Sequence, residues 1–289
     1  RRDPLQPYDL RLGSNLASVQ IPWEATQAHF YAVALLDNPE PSSTVHQLGE
    51  AVRIEGLLGP AEIGLDAVAR NGTTPRFGAD LSSPLGPFDS YVEAAFLSNV
   101  GQLVNTQWLG LPANAGPSTD INSLYTSNSL PGTALQIVGG LNYTFAWRDN
   151  RSATLGGEYF YNELGVTDAA LYPVLLYQGR YTPFYLGKHY AAIYLSAEGP
   201  DAGNKTNYNL STISNLNDGS YVSRLDFSWL LLDYLTFGAY ASVNYGNKGG
   251  EFNFALDTPA LTDSSGTAIA PIKYDGNSGA AGMSLRVAF

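Results

Sequence analysis

The chain closes with Asn277-Ser278-Gly279-Ala280-Ala281-Gly282-Met283-Ser284-Leu285-Arg286-Val287-Ala288-Phe289. Ala281, Met283, Leu285, Val287 and Phe289 share one parity, and Ala280, Gly282, Ser284, Arg286 and Ala288 share the other. Successive side chains of a β-strand point to opposite faces, so this spacing predicts a strand with one greasy face that ends on an aromatic residue. A soluble sandwich could also end on such a strand. The choice rests on how often the pattern returns upstream.

It returns along most of the chain. Leu235, Phe237, Ala239, Ala241, Val243 and Tyr245 alternate with polar or small residues, and a corner at Leu232-Asp233-Tyr234 joins them to Leu225, Phe227 and Trp229, set against Arg224, Asp226 and Ser228. Residues 205–217 read as a polar strand and Phe184 to Glu198 as another. Leu135, Ile137, Gly139, Leu141, Tyr143, Phe145 and Trp147 form one unbroken face over thirteen residues. The turn Arg148-Asp149-Asn150-Arg151 leads on to Ala153, Leu155, Gly157, Tyr159 and Tyr161, opposed by Thr154, Gly156, Glu158 and Asn162. Strands this long exceed the usual five or six residues of soluble sheets and suit a tilted membrane crossing.

Further upstream, Val52, Ile54 and Gly56 alternate with Arg53 and Glu55, and after Gly59-Pro60, Ile63, Leu65 and Ala67 alternate with Glu62, Gly64 and Asp66, a hairpin with one apolar and one charged face. Phe77, Ala79 and Leu81 oppose Arg76, Gly78 and Asp80, and Val92, Ala94 and Phe96 oppose Tyr91, Glu93 and Ala95. Gln27 to Leu36 is apolar at nearly every position. Between Pro4 and Pro22 the phase flips near Gly13-Ser14-Asn15, as a bulge in one long strand would make it do. This reading counts thirteen strands. Long connections fall near 38–49, 99–131, 165–183 and 247–276, and short ones near 23–26, 58–61, 83–87, 148–151 and 231–234.

Composition favours a membrane. Charged residues make up 14% of the 289 residues, well under the roughly 25% usual for soluble domains. Mean hydropathy is −0.10, as expected when half of each strand meets lipid and half meets water. No apolar run reaches the roughly 18 residues a spanning helix needs, and the best one, Ser228 to Phe237, breaks at Asp233. Strands must therefore do the crossing, and a closed barrel is the strand structure that satisfies every backbone group in lipid. The net charge of −11 argues against nucleic acid as a partner. The absence of Cys excludes disulfides, thiol catalysis and iron–sulfur ligation.

The alternating terminal strand finishing in Phe289 resembles the closing strand of bacterial outer-membrane β-barrels, where such an ending is the assembly signal. With the diffuse alternation upstream, the resemblance to porin-like barrels covers nearly the whole chain. It implies an all-β fold, a transmembrane antiparallel up-and-down β-barrel of about 14 strands, with long extracellular loops and short periplasmic turns, in the bacterial outer membrane. It implies passive diffusion of small polar solutes or ions, outer-membrane lipid around the barrel, and the barrel-assembly machinery during insertion. It admits a homo-oligomer or a docked partner protein. Thirteen strands do not close an antiparallel barrel, and the chain opens Arg1-Arg2-Asp3-Pro4. The expectation is a single barrel domain over residues 1–289, completed either by a further strand within the chain or, the favoured alternative, by one or more strands upstream of Arg1.

The polar parity carries Arg53, Glu55, Glu62, Asp66, Arg70, Arg76, Asp80, Glu93, Glu158, Arg224, Asp226 and Arg286, the expected pore lining. These charges either select solutes or pair across strands, Arg53 with Asp66 for example, and fill the interior. Their carboxylate excess favours cations. Tyr143, Trp147, Tyr159, Tyr161, Trp229 and Tyr245 are the expected aromatic girdle. The histidines His29, His46 and His189 have Tyr31, Leu48 and Ala191 two residues on, not the Ser of barrel lipases, and no Asp lies within two residues of any of them. The expectation is no enzyme, no cofactor and no metal. A lipase- or protease-type barrel and a structural barrel that docks a partner are the alternatives. Gly246 to Gly250 reads as plain loop, and Asp257 to Ser265 as an acidic loop able to meet Ca²⁺.

Overall fold

The computed structural model describes residues 15–35, 49–70, 75–98, 104–110, 113–129, 132–148, 151–200, 203, 205–263, 265–276 and 278–288. Its strands are β1 (Leu16–Trp23), β2 (Ala28–Leu35), β3 (Gly49–Leu58), β4 (Ala61–Arg70), β5 (Arg76–Leu85), β6 (Phe88–Leu97), β7 (Val104–Trp108), β8 (Tyr125–Ser129), β9 (Ala134–Arg148) and β10 (Arg151–Asn162). After the helix α1 (Tyr172–Tyr177) come β11 (His189–Glu198), β12 (Thr206–Asn215), β13 (Ser220–Leu232), β14 (Leu235–Gly246), β15 (Ala255–Thr258), β16 (Leu261–Thr262), β17 (Ala268–Ile269), β18 (Ile272–Asp275) and β19 (Gly279–Val287).

Thirteen strands form one sheet in the order β1-β2-β3-β4-β5-β6-β9-β10-β11-β12-β13-β14-β19. Each strand lies beside its predecessor in that order, which is the up-and-down meander the sequence predicts. Among the described residues β1 and β19 are the two edges, so the closure expected of a barrel is not present there. No helix of the described residues is long and apolar enough to cross a membrane, a statement that leaves strands out of account.

The chain divides into two compact units: Arg1–Gly101 with Pro131–Gly139, and Gln102–Leu130 with Gly140–Phe289. In the first, tight turns set the register. Leu58 faces Ala61 and Leu85 faces Phe88, and Gly59 and Gly86 both take positive φ, +63° and +65°, at the start of Gly-Pro links that a Cβ would strain. From these turns the pairing runs Ile54 to Leu65, Leu65 to Ala79 and Ala79 to Ala94, so one apolar row crosses four strands.

In the second unit the same logic puts Leu195 opposite Leu155 and Leu210, Leu210 opposite Leu225, and Leu225 opposite Ala241, which faces Ala281 of β19. The buried core of this unit lies in its connections. Val166, Leu171, Tyr172, Leu175 and Leu186 form one buried cluster, and Ile121, Leu124, Val174 and Leu261 form another. An apolar cleft of about 440 Å³, walled by Leu176, Tyr177, Leu256, Leu261 and Ile272, opens beside them.

Three readings change. Residues 184–188 do not extend β11: Phe184 sits at φ +65°, and the segment instead pairs back, with Val166 N–H donating to Leu186 O at 2.7 Å and Asn162 N–H to Lys188 O at 2.7 Å. The stretch 99–131 holds the β7–β8 hairpin and a 3-10 turn over Ile121–Leu124, capped by the Asp120 carboxylate accepting from Asn122 N–H. The alternation of long and short links is not strict, because Leu216 to Gly219, between β12 and β13, is short at an end where long loops were expected. The proposed bulge near Gly13, the loop 38–49 apart from Gly49, and His46 and Phe289 lie outside the described residues.

Candidate functional site

The sheet's two parities differ in what they present. On the apolar parity, Ile193 is 57% exposed, Leu65 53% and Leu225 46%, although each lies well inside a strand with a neighbour on both sides. Fully wetting such side chains costs roughly 1.5 to 3 kcal/mol apiece. Rows of them across a sheet need a hydrocarbon neighbour. Aromatics stand near both strand ends. Trp229 opposes Phe237 near the tight turn, and Tyr245 stacks on Tyr221 with centroids 5.3 Å apart near the loop end. Tyr159 and Tyr161 flank His189, at centroid distances of 6.1 and 5.4 Å. Trp147 precedes the last residue of β9, and Tyr143 lies four positions earlier, 5.7 Å from the Phe145 ring. Tyr221 and Trp229 bracket about 26 Å along β13 at ~3.3 Å per residue, of the order of the ~25 Å apolar band of outer-membrane barrels.

In the first unit the polar parity gathers an ion cluster. Register puts Arg53 opposite both Tyr31 and Asp66, Glu55 opposite Gly64, and Asp80 opposite Gly64 and Glu93. The Arg53 guanidinium grips Asp80 with two bonds of 2.7 and 3.0 Å and Glu55 at 3.0 Å. Asp66, the partner expected from sequence, stands further off at 3.7 Å. The Tyr31 hydroxyl donates to Glu55 at 2.5 Å, and Gln20 donates to Tyr31 at 3.3 Å. Gly64 and Gly78 make room: a Cβ on either would strike the Arg53, Asp80 or Asp66 side chains. One guanidinium thus meets three carboxylates. Glu62 faces Ser82, Arg76 faces Val68 and Leu97, and Arg70 faces Gly49, all on the same parity.

In the second unit Arg224 is 5% exposed, holds Asp226 at 2.7 to 3.0 Å, and sits 4.1 Å from the Tyr240 ring centroid. Glu158 lies opposite Ala192 and Arg286 opposite Thr236. Near the strand ends this polar face is covered by loops. Asn162, Tyr190, Asn215 and Ser220 are buried there beneath Tyr172, Asp218 and Glu251. The Glu251 carboxylate accepts from Tyr190 Oη at 2.6 Å, from Asn215 Nδ2 at 2.9 Å and from Phe184 N–H. Asp218 accepts from Tyr172 Oη at 2.7 Å, Glu251 N–H at 2.8 Å and Ser220 N–H at 2.8 Å. Burial pushes the Glu251 carboxyl up to about 7, and burial with the Asp218 bond pushes the Tyr172 hydroxyl upward. Sequence reading missed this cluster. Its only trace was Asn215 to Ser220, a polar turn-rich run, and a lone Glu251 after a Gly-rich loop.

His189 Nδ1 bonds the Tyr159 hydroxyl at 2.6 Å, and His29 on β2 faces Glu55 on β3. In the acidic loop, Asp263 accepts from Ser265 N–H, Ser265 Oγ and Thr267 N–H, and these bonds hold its carboxyl below the usual range. Among the described residues no group of three or more His, Asp or Glu is placed to hold a metal ion.

A one-chain antiparallel meander with a greasy parity between aromatic ends and a charged opposite parity is the architecture of porin-like outer-membrane β-barrels. No family model and no curated protein matches the chain. Two solved structures resemble it. OprB of Pseudomonas putida, in a high-pH structure, is 9% identical with a TM-score of 0.47, over 81% of this chain and 68% of that one. OmpT, an outer membrane protein of Vibrio cholerae folded in vitro, is 10% identical with a TM-score of 0.37, over 95% of this chain and 89% of that one. The expectation that the chain is not an enzyme is corrected here. It rested on histidine spacing alone, and a fold by itself excludes no catalytic role, while a buried carboxylate such as Glu251 is invisible to that spacing.

Proposed function

We propose that the chain is an outer-membrane channel for passive diffusion of small polar solutes and ions, with a mild preference for cations. The observation that carries this reading is the polar parity of the first unit. There Glu55, Glu62, Asp66, Asp80 and Glu93 outnumber Arg53, Arg70 and Arg76 on strands whose other face is greasy. Fixed carboxylates in excess lower the potential along a water-filled path, concentrating cations and repelling anions. The second unit adds Glu158 and Asp226 against Arg224 and Arg286, so charge is balanced there. The Asp226–Arg224 pair and its Tyr240 contact make that stretch a firm wall. Loop residues seated on Tyr190, Asn215 and Ser220 narrow the polar face from the loop side.

On this reading the barrel works as a single domain in a Gram-negative envelope, surrounded by outer-membrane lipid and inserted by the barrel-assembly machinery. Tyr143, Trp147, Tyr159, Tyr161, Trp229 and Tyr245 serve as headgroup anchors, and Phe289 as the assembly signal. Purified protein in a planar bilayer under a KCl gradient tests it. The reading expects ohmic conductance with a reversal potential of the sign that marks K⁺ as more permeant than Cl⁻. No conductance removes the channel, and an anion-selective reversal removes the preference.

A further inference from the structure

The loops of the second unit are tied down through one point. Glu251 bridges three separate stretches of chain: its Oε1 takes Phe184 N–H from the 178–188 segment, and its Oε2 takes Tyr190 Oη from β11 and Asn215 Nδ2 from β12. Its own N–H is held by Asp218, in the turn between β12 and β13, at 2.8 Å. Asp218 also takes the hydroxyl of Tyr172, which anchors α1, and Asn215 Nδ2 reaches that hydroxyl at 3.0 Å. Phe252 N–H donates to Ser220 Oγ at 3.0 Å, and Gly187 N–H to Tyr190 Oη at 2.7 Å. Glu251, Asp218, Tyr172, Tyr190, Asn215 and Ser220 are all under a tenth exposed.

The groups facing Glu251 are two carboxyl oxygens' worth of like charge and several neutral donors. Asp218 comes from the turn, Tyr190 from β11, Tyr172 from α1, and Tyr181 from the following segment, packed 6.1 Å from the Tyr172 ring. Lys248, on the Glu251 loop, is spent on Asp275 at 2.6 Å, and Arg180 donates to Gln178. Two carboxylates therefore share a buried pocket with tyrosine and amide donors. Burying one charge there is tolerable; burying two is costly.

We infer that Glu251 is a proton-controlled latch: when its carboxyl is protonated the 163–188 and 247–254 segments are held onto the strand ends, and when it ionises beside Asp218 they loosen. The inference stands on loop geometry and does not require the channel reading. The direction follows from burial, which raises the Glu251 carboxyl from 4.5 to about 7 in the folded loops. A carboxyl raised on folding lends stability that is full below 4.5 and is lost as pH climbs through about 7. The latch therefore tightens in acid and slackens as pH rises to neutrality.

Hydrogen exchange of the whole chain in detergent micelles or lipid nanodiscs, corrected for intrinsic rates and read by mass spectrometry between pH 5.5 and 8.5, tests this. Peptides carrying Val166, Phe184, Glu251 and Phe252 should lose protection about 10- to 30-fold as pH rises, levelling off above about 7, while β13 and β14 peptides stay level. Glu251→Gln should abolish the dependence. Tyr190→Phe, which removes a donor to the ionised form, should move the levelling-off point upward. Level protection in the wild type, a wild-type profile in Glu251→Gln, or an unmoved levelling-off point in Tyr190→Phe would each overturn the latch.

Discussion

Arg53 shows how much one side chain can organise on a polar sheet face. Its guanidinium meets Asp80 in a two-pronged grip and Glu55 from the side, a planar geometry that an ammonium cannot reproduce. Arg53→Met would leave Glu55, Asp66 and Asp80 facing one another across three strands. We expect a loss of about 1 to 3 kcal/mol, tempered because the cluster is about a third exposed, measured by urea unfolding in liposomes. Arg53→Lys should recover less than half of it. Gly78 is the silent partner of this cluster, since a Cβ there meets the Asp66 carboxylate. Gly78→Val should cost a further 1 to 3 kcal/mol, roughly the penalty for overpacking, while the same change at an unhindered turn glycine strains only the backbone. The parity of Arg53 and its carboxylates is plain in the sequence. Which carboxylate it grips is not, because register between β3, β4 and β5 decides whether Asp66 or Asp80 lies under the guanidinium.

At the scale of the element, the strands and the connections obey different rules. A strand with hydrocarbon on one side and polar groups on the other must alternate for its whole length, so its signal accumulates over eight to fifteen residues and thirteen strands can be counted without a structure. The connections contain pieces of two to six residues, too short for any period to emerge, and they are held by individual buried contacts. Hence α1, the β7–β8 hairpin and the β15–β18 pairing are absent from the sequence reading, and so is the Glu251 cluster that fastens them. Leu171 is 1% and Val174 2% exposed, one in each buried loop cluster. Leu171→Ala should cost the loop body about 2 to 4 kcal/mol. The expected outcome is faster protease cleavage within 163–188 with unchanged β-sheet circular dichroism. Tyr172→Phe removes the Asp218 bond and should cost about 1 to 2 kcal/mol by the same assay.

For the molecule as a whole, the central statement is physical: one parity of the sheet belongs in hydrocarbon and the other in water. Low charge, near-zero mean hydropathy and the exposure of Ile193, Leu65 and Leu225 are consequences of that one division. A cysteine-free chain makes it directly measurable. Single cysteines placed at Ala239, Ala241 and Val243 on one parity of β14, and at Gly238, Ser242 and Asn244 on the other, can carry a nitroxide in reconstituted bilayers. The account predicts that collision with oxygen dominates at the first three positions and collision with a water-soluble nickel chelate at the second three, alternating residue by residue. Nickel collisions equal at all six positions, or dominant at Ala239, Ala241 and Val243, would contradict it.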